Sequence, residues 1–278
     1  MEWSRYTALV AEYDAISSSA QAVSAELVGL VPTTPHRGYS EQIFVKLLAH
    51  SISLRQLSPD PDRKTSGELW DLASVSAIAR SIVETYDALA YMALGEASLE
   101  ERQFRILLWE LHDSNRRCKM LEAIGSSDPR YFEIVSKDQK LHDRVIAHVL
   151  FAQLNKSLQK KVRDREPPSY HLSQRERCLA YRINYDYYNA VTMQLSQYVH
   201  TLPFAIHQLF NFKASSPEAL HLMSLPIQYA VAFLSRAVEG MRLLFPEATS
   251  RSAPSVEQSI AVWSGVVERG VKSERPGG

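Results

Sequence analysis

Apolar residues recur at steps of three and four along nearly the whole chain, and no other feature constrains the fold as strongly. Tyr6, Leu9, Val10, Tyr13, Ile16, Ala20, Val23, Leu27 and Leu30 form one such series. Leu72, Val75, Ala79, Ile82, Val83, Tyr86, Ala90 and Ala93 form another. A period near 3.6 places each series on one stripe of an α-helix, whereas a half-buried strand needs strict alternation. The glycine content agrees. Only 10 of the 278 residues are Gly, about half the usual share of roughly 7%. That disfavours turn-dense β folds, which use Gly at tight turns. The expectation is an all-α fold, a multi-helix bundle of about seven main helices with no sheet.

Helix ends are legible in part. Ser4 is placed to cap the first helix, and Gly29 with Pro32 to end it. Ser40 starts a second helix that closes near Leu57, before the break Ser58-Pro59-Asp60-Pro61-Asp62. Thr65 with Glu68, Ser98 with Glu101, and Ser173 with Glu176 have capping-box spacing. The third helix ends at Gly95 and the fourth at Gly125. Asp128-Pro129 reads as an N-cap followed by a proline at the first helical position. The pattern then runs to Glu166, where Pro167-Pro168 stops it, and is too long for an ordinary helix. Either a break near Ser136-Lys137-Asp138 or one long helix is expected. The helix after Ser173 is expected to run on through Tyr181, Tyr188, Leu195 and Val199. Pro203 marks a turn or kink before a short helix from Phe204 to Phe212. Ser216-Pro217-Glu218 starts the last major helix, which runs to Phe245 with room for a kink at Pro226. Residues 1–245 read as a single all-helical domain, and residues 246–278 as a tail with a short amphipathic helix from Val256 to Val267.

Charge excludes some functions. Lys and Arg total 31, as do Asp and Glu, so the formal net charge is zero. Such a chain has no global attraction to nucleic acid or to an anionic membrane. Its 45% hydrophobic content separates it from disordered polyelectrolytes. Basic clusters at Arg116, Arg117 and Lys119 and from Lys156 to Arg165 fall in the last turns of expected helices, where cations complement the helix dipole. A phosphate-binding surface is the competing reading. Cys118 and Cys178 form no CxxC pair and read as reduced core thiols. The start, Met1-Glu2-Trp3-Ser4-Arg5, has no basic segment followed by an apolar one, so no secretory signal is expected. The most apolar stretch, Ala219 to Leu234, falls short of the roughly 20 residues that span a bilayer and contains His221, Pro226 and Gln228. A cytoplasmic protein without a membrane role is expected.

No GxGxxG, P-loop, GxSxG or HExxH motif is present. One ExxH, Glu218 to His221, lacks the second copy and further glutamates of a di-metal bundle, so neither metal nor cofactor is expected. Arg105 and His112 lie two helical turns apart and can share a face. Arg165 and His171 have similar spacing, interrupted by Pro167-Pro168. These pairs resemble the signature of the HEPN ribonucleases, which implies an arginine that stabilises phosphate charge and a histidine that handles the 2′-hydroxyl proton. About two such pairs arise by chance in a chain with this Arg and His content, and two are found. Ile106 stands where that family usually has a polar residue.

Two polar stripes are more unusual. Arg182, Tyr185, Asn189, Ser196 and His200 fall within about 60° of one another on a helical wheel, beside the apolar face of Tyr188, Leu195 and Val199. Arg80, Glu84, Asp87 and Tyr91 form a similar stripe beside Ala79 and Tyr86. Arg80 and Glu84 read either as an i,i+4 ion pair or as part of a buried polar cluster that binds an anion or orients His200. Tyr181, Tyr185, Tyr187, Tyr188 and Tyr198 read as amphipathic packing, with base stacking as the competing reading.

The segments Ala79 to Tyr86 and Tyr188 to His200, with Trp109 to Lys119, resemble an uncharacterised, mainly bacterial, all-helical family described only as a domain of unknown function. Such families have been compared with the HEPN scaffold. The resemblance covers roughly Leu47 to Phe245. It implies no activity, but it does imply that Arg80, Glu84, Ser196 and His200 form one polar locus. The expected function is that of a soluble helical protein acting through a polar pocket or a partner surface. Its binding candidates are Arg80, Glu84, Arg182, Asn189, Ser196 and His200. The alternatives are a metal-independent HEPN-type ribonuclease in a defence or toxin-like setting, with His200, Arg105 and His112 as candidate catalytic groups, and a helical oligomerisation module. The partner would be a protein, a second copy or RNA.

Overall fold

The structure, a computed structural model, describes residues 1–62, 69–200, 202–210 and 212–271. Among these residues there are helices and no strand. In chain order they are α1 (Trp3–Leu27), α2 (Pro35–Leu57), α3 (Leu72–Leu89), α4 (Leu99–Ala123), α5 (Tyr131–Ala147), α6 (Val149–Gln153), α7 (Lys156–Arg163), α8 (Gln174–Ala180), α9 (Tyr185–Val199), α10 (Pro203–Leu209), α11 (Pro217–Leu244) and α12 (Pro254–Arg269). A π-helical segment, Ala90–Leu94, continues α3. The chain is all-α, but the count of about seven main helices is corrected to twelve among the described residues.

Two expected long helices are interrupted, and each break has a local cause. The chain passes through Ser136 to Asp138 as unbroken α5 and breaks at His148 and at Leu154-Asn155 instead. His148 Nδ1 accepts from the Leu150 N–H at 3.3 Å, and Asn155 Oδ1 from the Leu158 N–H at 2.9 Å. Each side chain satisfies a donor that a new helix start leaves free. The stretch after Ser173 breaks at Tyr181 to Asn184. Arg182 adopts φ 52°, and the Ile183 N–H reaches back to the Cys178 carbonyl at 2.8 Å, the pattern of a Schellman helix end. Asn184 Oδ1 then accepts from the Tyr187 N–H at 2.9 Å and opens α9.

Helix starts follow the capping chemistry at some sites and not at others. Ser98 Oγ accepts from the Glu101 N–H at 3.1 Å. Ser173 and Glu176 form the full reciprocal box, at 3.3 and 2.7 Å. Thr65 and Glu68 lie outside the described residues. Ser4 does not cap, since α1 already starts at Trp3. Pro35, with φ preset for a first helical position, opens α2 ahead of Ser40, which is buried and donates to the Arg37 carbonyl. Asp128 Oδ1 accepts from the Arg130 N–H at 2.9 Å, a turn that delays α5 to Tyr131.

The chain divides into two compact units, Met1–Leu94 with Cys178–Gly278, and Gly95–Arg177. In the first, α11 is the central helix. Ala230, Val231, Ala232, Phe233 and Leu234 are all buried. At 100° per residue five successive positions point to every side, so the helix is enclosed rather than amphipathic. It packs against α1, α2, α3 and α12, and α3 also packs against α2 and α9. Tyr13 donates to the Ser51 carbonyl at 2.9 Å and Tyr6 to the Pro59 carbonyl at 3.0 Å, which satisfies two buried hydroxyls while joining α1 to α2 and to the loop after it. Within residues 246–278, α12 buries Ile260 and Val267.

In the second unit α4 and α5 run antiparallel. Tyr131 donates to Glu122 Oε1 at 2.7 Å at one end, and the rings of Phe104 and His148 are 5.0 Å apart at the other. Phe104, Leu107, Leu108 and Leu111 of α4 pack with Leu141 and Val145 of α5, Phe151 of α6 and Val162 of α7. Cys118 and Cys178 are both buried, and neither forms a disulfide among the described residues. No helix among the described residues is long and apolar enough to cross a membrane.

Candidate functional site

The structure joins part of the polar locus that the sequence singles out. Arg80 on α3 donates from Nε to Glu84 Oε1 at 2.8 Å. A second nitrogen of its guanidinium donates to Ser196 Oγ on α9, and Ser196 in turn donates to the Thr192 carbonyl. Arg80, Glu84 and Ser196 therefore meet, as a brace between two packed helices. The Ser196 proton is committed to a backbone oxygen and the Glu84 carboxylate to a guanidinium, which leaves no nucleophile–base pair here.

The remaining binding candidates lie apart from this brace. His200 is exposed at the C-cap of α9, linked to Ser196 only through its backbone N–H, at 3.1 Å from the Ser196 carbonyl. Asn189 is exposed on α9. Arg182 is not on that helix at all: it forms the left-handed end of α8, and its carbonyl accepts from Arg236 at 3.4 Å. Asp87 and Tyr91, the inner members of the α3 stripe, are buried.

Arg105 is 2% exposed, and both its Nε, at 3.1 Å, and its Nη2 bind Glu101 Oε1. His112 donates from Nδ1 to the Pro167 carbonyl at 2.8 Å, since a carbonyl can only accept. The two share a helix but have different partners. The structure instead gathers Arg105, Glu101 and His171. His171 Nε2 lies 3.7 Å from Glu101 Oε1, and its ring meets that of Phe104 edge-on at 5.8 Å. Burial, and then the Arg105 charge, push the imidazole down to about 4, so it is neutral at pH 7. Arg165, the partner that spacing suggests for His171, binds Asp138 Oδ2 at 2.9 Å instead. Glu101 was visible in the sequence only as a capping residue. Its second role depends on a loop that returns some seventy residues later to α4.

The feature that sequence reasoning missed is an apolar face on α9 and α10. From Val199 to Phe212 the sequence contains no Asp, Glu, Lys or Arg. Phe204 is 47% exposed and Phe210 78%, with Leu202, Ile206 and Leu209 also open to solvent. Beside them is a cleft of ≈ 410 Å³, lined by Phe204, His207 and Phe212 and, from α11, by Glu218 and Leu222. The His207 and Phe210 rings stack at 6.1 Å, and Tyr198 bonds to Gln208 to hold α10 against α9. The signal was legible as an uncharged run in a chain with 22% charged residues, but a helical reading assigns such a run to the core.

Among the described residues no group of three or more His, Cys, Asp or Glu is placed to hold a metal ion. Glu218 of the lone ExxH lines the apolar cleft. Comparison with protein-family models, with curated proteins and with solved structures finds no match.

Proposed function

We propose that this protein is a helical interaction module that pairs with a second copy of itself through the α9–α10 face. The observation that carries the reading is the uncharged run from Val199 to Phe212, with Phe204 and Phe210 exposed beside an open cleft. Contiguous exposed apolar surface of this kind marks interaction sites. A two-fold interface places one patch against the same patch, so any charge near the axis meets its own like. The uncharged run suits that geometry, and the acid at the adjoining cleft, Glu218 on α11, lies outside it. A membrane surface fits less well, because peripheral helices carry Lys and Arg around their apolar face. At the brace the Arg80 guanidinium is engaged by Glu84 and Ser196, and the Arg105 guanidinium, enclosed and paired with Glu101, is not presented to a phosphate.

Sedimentation equilibrium across the micromolar range tests this. The wild-type chain is expected as a dimer, and Phe204→Ser with Phe210→Ser as a folded monomer by circular dichroism. A wild-type chain that stays monomeric throughout, or a double variant that still dimerises, overturns the proposal. Flotation with neutral lipid vesicles separates the membrane alternative.

A further inference from the structure

The seam between α4 and α5 contains a buried polar group that neither the core nor the apolar face explains. Ser114 and Cys118 lie one turn apart on α4, and Asp138 and His142 one turn apart on α5. Ser114, Asp138 and His142 are 4, 7 and 9% exposed. One polar atom of each, Ser114 Oγ, Asp138 Oδ1 and His142 Nδ1, has no hydrogen-bond partner among the described residues. The helix register places Ser114 beside Asp138, with His142 one turn further along α5. Phe104 pairs with His148 at one end and Glu122 with Tyr131 at the other, so Ser114, about midway, is level with Asp138. The Asp138 charge also acts on the neighbouring Cys118 thiol, which burial raises first.

An unpaired buried polar atom costs about 1–3 kcal/mol, and three within one turn of the same seam are not left so without compensation. Their hydrogen-bonding capacities can be counted. His142 Nε2 faces the Val162 carbonyl at 3.1 Å, so it carries the ring proton and leaves Nδ1 as an acceptor. Asp143 Oδ1 stands 3.7 Å from Nδ1, outside hydrogen-bond reach. Asp138 Oδ2 is taken by Arg165 at 2.9 Å, and Oδ1 is a second acceptor. Ser114 offers a donor. Two acceptors and one donor match a molecule that donates twice and accepts once.

We infer that one water molecule is bound inside the α4–α5 seam, donating to Asp138 Oδ1 and His142 Nδ1 and accepting from Ser114 Oγ. Three bonds of this kind are typical of a water that belongs to a fold. A cation is the poorer occupant, because Arg165 already neutralises Asp138. The apolar side chains packed along the seam, Leu111, Leu141 and Val145, slow the water's exchange.

A crystal structure of the full chain at a resolution that orders internal water tests the inference directly. Density within hydrogen-bond distance of all three atoms is expected. Three side chains turned to protein partners around a dry seam overturn it. In solution, magnetic relaxation dispersion should count one long-lived water fewer in Ser114→Val, whose extra methyl groups occupy the space, than in the wild type. An equal count overturns it as well.

Discussion

Two arginines with left-handed backbones show how one residue type serves opposite ends. Gly125, Arg165 and Arg182 all have positive φ at a helix end, and in each case the next residue's N–H reaches back five positions, to Leu121, Lys161 and Cys178. Glycine is the expected occupant there, since a side chain in that conformation costs about 1 kcal/mol or more. Arg165 has a compensation: its guanidinium is the partner of the buried Asp138 carboxylate. Arg182 is exposed, and among the described residues no hydrogen bond or ion pair of its side chain offsets the strain. The two substitutions to glycine therefore differ in sign. Arg182→Gly should stabilise by about 1 kcal/mol. Arg165→Gly should destabilise by about 2 kcal/mol, because relief of the backbone does not offset a buried carboxylate left without its cation. Urea denaturation of the two variants beside the wild type measures both. At the polar locus, Arg80→Ala should cost about 1 kcal/mol, and a double-mutant cycle with Ser196→Ala should show that the two effects are not additive.

At the scale of helices, the junction from α8 to α9 shows what local pattern leaves undecided. The apolar series through Tyr181, Tyr188 and Leu195 satisfies one helix as well as two, because periodicity does not register a single residue turned left-handed. Asn184 decides the matter by contacts remote in sequence. Its side chain caps α9 and donates to the Arg269 carbonyl at 3.2 Å, and its backbone N–H bonds to the Val267 carbonyl at 2.8 Å. The start of α9 is thus tied to the end of α12. Asn184→Ala should cost 1 to 2 kcal/mol, at the upper end of the range for a lost cap, and hydrogen exchange should show the first turn of α9 and the last turn of α12 loosening together. The serine caps at Ser98 and Ser173 were legible because their partners lie within three residues. The breaks at His148 and Asn155 were less so, since either residue is equally acceptable in an unbroken helix.

For the molecule as a whole, one part of the response to acid follows from His171. The folded state holds its imidazole at about 4, whereas in an unfolded chain it titrates near 6.5. Between these values the unfolded state binds the extra proton, so stability rises with pH across the window and falls as acid is added. The contribution is complete above about pH 6.5, and about 3 kcal/mol of stability has been lost by pH 4. His171→Gln, which cannot titrate, should show a flatter profile than the wild type when urea midpoints are compared at pH 7 and pH 4.5. An identical slope in both would remove His171 as the cause. This pair of states was not visible in the sequence, because the burial and the Arg105 charge that lower the pKa are both supplied by folding.

The sequence by itself determined the helical class, the stripe each long helix buries, and the ends set by capping residues or glycine within a few positions. It did so because helix periodicity and capping are local. Only the tertiary structure decided that Arg80 meets Ser196 while His200 does not, that Arg105 is enclosed with Glu101 and His171, and that the uncharged run at α10 faces solvent instead of the core. Those outcomes depend on which surfaces the packed helices cover, and an apolar stripe states what a residue seeks without naming what it meets.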